Sequence, residues 1–489
     1  MHSETDSAAT QSKHEFDSVI TDIVEYVAHY ECKSELAYDT ARLCLLDALG
    51  CAMEALQYPS CTKLLGPVVP NTVVPDGARV PGTTYVLDPV TAAFNLGTMI
   101  RWLDYNDAWL AAEWGHPSDN FGGILMLADW ISRTAVAKGK PPLFMRDVLT
   151  AGIMAYEIQG CLALENSFNR VGLDHIVLVK VATTAVAARM LGLPKHQIAN
   201  AISNAWIDGQ SLRIYRHAPN SGSRKSWAAG DAVRRALQLA LVARTGEMGY
   251  PTALTARTWG FYDASFRGNA FRFQRNYEEY VMENILFKVS YPAEFHAQTA
   301  VEAAITLHAE LQRRGKTSDD IARIRIRTTE AAMRIIDKQG LLNNPADRDH
   351  CIQYMVAIPL VFGRLTGADY EDDVAADPRI DTLRARMRCV EDEQFSTDYL
   401  DPDKRSIANA ISVELHDGMV LQEVMVEYPI GHKRRRADAL PLLATKFERQ
   451  LRLSFDSKQV GRILSFSRDR PMFESCEVSK YVDEYIPPD

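Results

Sequence analysis

Apolar residues return every three or four positions through most of residues 16–245, and that spacing leaves few alternatives to packed helices. Phe16, Val19, Ile20, Ile23, Val24 and Val27 mark one helix face, and Leu43, Leu46 and Leu49 mark another within 39–56. The stretches 120–137, 145–163, 174–191, 197–212 and 228–245 read as further apolar helices. Glycine closes several of them, as Gly192 ahead of Pro194 and Gly246 do, because it tolerates the left-handed backbone that ends a helix. No internal repeat and no low-complexity linker breaks the series.

The period changes near residue 285. Leu286 to Tyr291 reads as a strand, and Ala293 to Arg314 as a long helix stopped at Gly315. Arg323 to Arg327 alternates arginine with isoleucine, as a half-buried strand does. Ile407 to Leu415 and Met419 to Tyr428 flank Asp417-Gly418, a pair suited to a tight turn, which predicts a hairpin. Residues 436–489 return to helical spacing around Leu440, Leu443, Phe447, Leu451 and Leu453. The pattern predicts a mainly α protein. Its large helical domain takes residues 1–282 and 431–489, and an α+β domain occupies 283–430.

The net charge of −9 over 489 residues argues against a nucleic-acid partner, which needs a broad basic surface. An anionic substrate would need a local cationic cluster. No apolar run is long enough to span a membrane. Met1 to Glu15 has neither an apolar signal core nor arginine-rich amphipathic character. That suits the cytoplasm, or the mitochondrial matrix if a presequence has been removed. The eight cysteines are scattered and none forms a C-x-x-C pair, so reduced thiols fit better than an iron–sulfur cluster or a structural zinc. Phosphate-binding glycine loops, G-x-S-x-G elbows and H-E-x-x-H spacings are missing.

Chemistry concentrates elsewhere. Residues 101–120 hold Trp102, Trp109 and Trp114 beside Asp104, Asp107, Glu113 and His116. Apolar walls around titratable groups shift pKa values, and active sites use such shifts; an amphipathic helix followed by a polar loop fits the same letters. Ser118 or Asp119 suits the N-cap of the next helix, which places His116 at a helix start. His175, after Asp174, and Lys225 stand at two more helix starts. If those three ends converge, they make an anion pocket. Arg213, Arg216, His217, Arg224 and Lys225 crowd one short segment, which suits carboxylate binding and equally a mobile basic surface loop. Lys288 interrupts an apolar stretch. Tyr354, after Asp349 and His350, either donates a proton, fixes a carboxylate, or sits in the core with its hydroxyl satisfied.

The segments Arg101 to Gly123, Gln159 to Lys180, Asp208 to Asp231, Thr245 to Tyr262, Met282 to Ala303 and Asn343 to Arg364 resemble the MmgE/PrpD family. The resemblance runs from about residue 16 to the C-terminus. It implies a helical domain built from both chain ends with an α+β lid, a homodimer, and an active site between the domains. It further implies dehydration of 2-methylcitrate to 2-methylaconitate in propionate breakdown, without metal or cluster. By motif, the family's site positions fall on Asp104, His116, His175, Lys225, Lys288 and Tyr354. The length of the stretch around Leu110 to Trp114 favours that branch over the related cis-aconitate decarboxylases. Gly340-Leu341-Leu342 departs from the Gly-Pro-Leu of close relatives. Removing a proton beside a carboxylate and expelling a hydroxyl requires cations, a base and an acid. Lys225, Lys288, His175 and Arg216 are expected to bind carboxylates. His116, oriented by Asp104, is expected to move the proton, with Tyr354 as its lid-side partner and His175 as a second catalytic imidazole. Turnover of citrate or cis-aconitate, dehydration of longer alkylcitrates, decarboxylation of cis-aconitate and non-catalytic tricarboxylate binding are the alternatives.

Overall fold

The computed structural model describes residues 15–217 and 219–487. Three helices set the geometry of everything that follows: Pro89–Arg101, Asn120–Ala137 and Arg224–Arg244. Gly97, Gly122 and Gly230 let them touch backbone to backbone. A Cβ on Gly122 would lie 2.6 Å from the Cα of Gly97, one on Gly97 2.9 Å from the Cα of Gly230, and one on Gly230 2.5 Å from the carbonyl oxygen of Phe94. No side chain larger than hydrogen fits at those contacts. Because the glycines lie within two turns of Arg101, Asp119 and Lys225, the close approach also draws those helix ends together.

Around this contact pack Glu35–Ala55, Met145–Glu165 and Ile176–Met190. The last is buried on every face from Ile176 to Ala188, which marks it as a central helix. Ser18–His29 and Lys195–Ile207 cover the outside. The chain returns at its far end with Arg436–Leu451, Ser457–Arg468 and Val478–Asp483, and their apolar faces join the same core as residues 19–289.

A second core gathers residues 293–421. Its four-stranded sheet has the order Met387–Glu391, Ile321–Thr328, Asn409–Leu415, Val424–Val426. The first pair is parallel, with Ile324 opposite Met387; the others are antiparallel, with Ile324 opposite Val413 and Ala410 opposite Met425. Ile321, Ile324 and Ile326 face inward, onto a core shared with the helices Gln298–Arg313 and Ile352–Phe362, while Arg323 and Arg325 face solvent. The expected alternation and the hairpin turn at Asp417-Gly418 are both present, with Gly418 at φ 84°. A small apolar seam joins the two cores: Ala108, Leu110, Trp114 and Leu286 from one side, Phe295, Ala331, Tyr399 and Ile407 from the other. Among the described residues, no helix is long and apolar enough to cross a membrane.

Three expectations need correction. Leu286 to Tyr291 is extended but forms no strand. Its backbone groups go elsewhere: Leu286 exchanges bonds with Ala108, the Phe287 N–H goes to Gly431, and the carbonyl of Lys288 goes to the ammonium of Lys446. Neither Ser118 nor Asp119 caps its helix, because the Ser118 hydroxyl donates to Asp107 and the Asp119 carboxylate accepts from Asn106. Ala293 to Arg314 begins as a 3-10 turn at Phe295–Ala297 before the helix Gln298–Arg313.

Candidate active site

The loop after Arg101 carries Asp104, which sits at φ 50°, an uncommon backbone for a residue with a Cβ. Its neighbours hold it there. The Lys288 ammonium donates to the Asp104 carbonyl at 2.7 Å and to its carboxylate, and Arg101 reaches the carboxylate at 2.8 Å. His116 Nε2 lies 3.6 Å from it, His350 Nε2 3.8 Å, and Lys225 Nζ 4.0 Å. Burial pushes the Asp104 carboxyl up, but Arg101, Lys288, His116 and Lys225 outweigh that and hold it well below the usual carboxylate range. Asp104 is thus an ionised hub for three cations and two imidazoles.

His116 presents one ring nitrogen to this hub. Its Nδ1 lies 2.6 Å from the carbonyl oxygen of Asp107. A carbonyl only accepts, so Nδ1 carries the proton and Nε2 is left with a lone pair. Burial first, then Arg101, holds the imidazole well below its ordinary pKa against the opposing pull of Asp104. Asp107 is fixed in turn by Ser118 and by the Tyr156 hydroxyl at 2.6 Å.

The His175 ring stands edge-on to that of His116, with centroids 5.7 Å apart. Neither of its ring nitrogens has a hydrogen-bond partner among the described residues, although both are buried. The preceding Asp174 is gripped by Arg216 and lies 3.4 Å from Arg213. Burial raises the Asp174 carboxyl, but Arg216, His175 and Arg213 force it far down. From the second core come Glu294, Phe295 and His350. His350 Nδ1 bonds Asp349 at 2.8 Å, and burial followed by the Lys225 charge lowers its pKa to about 4.

These side chains surround a small, tightly lined cavity. Asp104, His116, His175, Lys288 and Arg216 line it, together with Arg101, Arg213, Trp114, Glu294, Phe295 and His350. The three helix starts therefore converge, but Lys225 stands one layer back. Its ammonium is bound to Asp349 and lies 3.2 Å from His350 Nδ1. Tyr354 does not reach the cavity. Its hydroxyl donates to the Asp369 carbonyl at 2.7 Å and its ring stacks on Tyr370 within the second core, which corrects its expected place beside His116. A roomier cavity of about 140 Å³ adjoins, sharing Trp114, Arg213, Arg216 and His350 and adding Arg170 and Arg334.

Arg101, Glu294, Phe295 and His350 are the site residues that sequence reasoning missed. Arg101 ends a helix, where any arginine suits the dipole, and His350 appeared only as part of a polar cluster. Asp104, Asp349 and His350 each bring a ligand atom within 4.8 Å of the others, as a metal site would. The Lys225 ammonium already binds Asp349 and sits near the other two, so the positive charge that such a triad attracts is supplied by the protein.

A deeper layer fixes the hub. The Lys446 ammonium donates to Asp47 at 2.7 Å, to the Tyr105 carbonyl at 2.7 Å and to the Lys288 carbonyl at 2.8 Å, and lies over the Tyr105 ring. Its three protons are all used. One side chain from the last part of the chain thus fixes the backbone beside Asp104 and the backbone of Lys288.

The sequence matches the family model described as MmgE/PrpD N-terminal domain over residues 21–274 and the MmgE/PrpD C-terminal domain over residues 291–469. It is 67% identical over 472 residues to the 2-methylcitrate dehydratase of Escherichia coli (strain K12), covering 96% of this chain and 98% of that one. It is 68% identical over 469 residues to the Cupriavidus necator 2-methylcitrate dehydratase, covering 96% and 97%. The mitochondrial 2-methylcitrate dehydratase of Yarrowia lipolytica is 60% identical over 474 residues, covering 97% and 91%.

Proposed function

We propose, because this chain belongs to the MmgE/PrpD family, that it is a hydro-lyase which removes water from 2-methylcitrate to give 2-methyl-cis-aconitate in propionate catabolism. Relatives of that name at 60–68% identity over nearly the whole chain support the substrate. The observation that carries the chemistry is the His116 Nε2 lone pair, held at the edge of a buried cationic cluster.

In the reaction a C–H proton leaves the carbon beside the tertiary alcohol, the C–O bond of the alcohol breaks, and the hydroxyl departs as water once protonated. His116 Nε2 takes the proton. Lys288, Arg101, Arg213 and Arg216 neutralise carboxylates and the negative charge that builds on the one next to the reacting carbon. His175 gives a proton to the departing hydroxyl. Charge balance supports this division. Those four cations face Asp104, Asp174 and Glu294, so the cluster holds one net positive charge before substrate arrives. A tricarboxylate brings three negative charges, and the uncompensated surplus raises the imidazole pKa values. Burial and the neighbouring arginines hold His175 well below its ordinary pKa, while Asp174, 3.3 Å from its Nδ1, pulls the other way, so once substrate charge offsets the arginines His175 takes up that proton.

The proposal includes two domains, residues 1–282 with 431–489 and residues 283–430, closing on one another over the cavity. It also includes a homodimer, a cytoplasmic or mitochondrial-matrix setting and a reaction without metal or cluster. The direct experiment adds 2-methylcitrate to the purified protein and follows far-ultraviolet absorbance. A rise from the new conjugated double bond is expected. A flat trace overturns the reading, and release of carbon dioxide reassigns the chain to decarboxylation.

A further inference from the structure

Citrate and 2-methylcitrate differ by one methyl group, and in 2-methylcitrate that methyl sits on the carbon that loses its proton. Nine of the eleven side chains around the cavity carry a charge or an imidazole. An alkyl branch laid against any of them would strip water from a polar group and return nothing. The remaining two are Trp114 and Phe295.

Both are held in place. The Trp114 ring meets His296 edge-on at 5.8 Å, and the guanidinium groups of Arg213 and Arg334 lie 5.2 and 5.3 Å from its centroid. Phe295 is 2% exposed and opens the 3-10 turn Phe295–Ala297. That turn is pinned from two sides: the Glu294 carboxylate accepts the His296 N–H at 2.9 Å, and Asn409 donates to the His296 carbonyl at 2.8 Å. Phe295 also packs into the apolar seam with Leu110, Leu286 and Tyr399, so it has little room to swing aside.

Resting on the 2-methylcitrate reading above, we infer that Phe295 and Trp114 form the wall that receives the alkyl branch, and that Phe295 sets the length of branch accepted. A pocket of this kind discriminates one methylene by about 10–200-fold.

The test compares kcat/KM for citrate, 2-methylcitrate and 2-butylcitrate across wild type, Phe295→Leu, Phe295→Ala and Phe295→Trp. Ratios between substrates are independent of the fraction of active protein, so partial misfolding does not move them. Phe295→Ala should raise the butyl-to-methyl ratio by about 10-fold or more, Phe295→Leu by less, and Phe295→Trp should shift preference toward citrate by about 10-fold. Unchanged ratios in variants that still turn over, beside an active wild type, overturn this inference and leave the dehydratase reading standing. If wild type does not dehydrate 2-methylcitrate, the functional reading falls and the inference with it.

Discussion

His116 owes its reactivity to a single hydrogen bond. Because the Asp107 carbonyl takes the Nδ1 proton, the nitrogen that faces Asp104 is the basic one. Replacing His116 with alanine should lower kcat by about 10²–10⁴-fold while the circular dichroism spectrum stays native. Near-normal turnover would remove it from the mechanism. The pH dependence follows from the same burial. A base must be unprotonated to act, and burial together with Arg101 keeps His116 neutral to well below pH 6.5. Because His175 takes up a proton as substrate binds, the plot of kcat/KM, which reports the free enzyme, should rise as pH falls from 7.5 through 6.5 and drop only at lower pH, where His116 protonates. An acidic limb centred at or above 6.5 would show that the imidazole is not depressed. The residue types Asp, His and Lys named much of this site in advance, but a sequence does not print which backbone carbonyl an imidazole will meet. Nor does it show that the Tyr354 hydroxyl turns to Asp369, since a tyrosine at the start of an apolar helix can point either way.

Helix positions were legible wherever one face was apolar and the other polar, as in Ser18–His29, because burial there follows the 3.6-residue period. Leu286 to Tyr291 misled because its apolar letters fit a strand, while its hydrogen bonds go to loops and to Lys446. That lysine was legible only as one more cation in a helix. In the structure it couples Arg436–Leu451 to Glu35–Ala55 through Asp47 and holds the backbone on both sides of the Asp104–Lys288 pair. Lys446→Met leaves the buried Asp47 unpaired and should destabilise the fold by about 3–5 kcal/mol. The double change Asp47→Asn with Lys446→Met removes the orphaned charge and should recover much of the melting temperature. It should still show a reduced kcat, because nothing then fixes the Lys288 carbonyl. Full recovery of kcat together with stability would make Lys446 a purely structural residue.

At the scale of the whole molecule the charge distribution is uneven. The chain carries a net −9, yet the adjoining cavities gather Arg101, Arg170, Arg213, Arg216, Arg334 and Lys288 around one cleft. A trianionic substrate is repelled by the acidic exterior and drawn in at this mouth, and salt screens both effects over a Debye length of about 10 Å at 0.1 M. Raising ionic strength from 10 to 500 mM should lower kcat/KM for 2-methylcitrate by about 10-fold or more, with a smaller change in kcat. A flat response would mean that the cleft's cations act only after binding. The Lys446 clamp carries one more consequence, and it concerns time. A ribosome makes the helix Arg436–Leu451 only after the whole second core and the first core's residues 19–289, so until then Asp47 lacks its counter-charge and the loop beside Asp104 its anchor. The loop that carries Asp104 is therefore clamped only once residue 446 has been made and has docked.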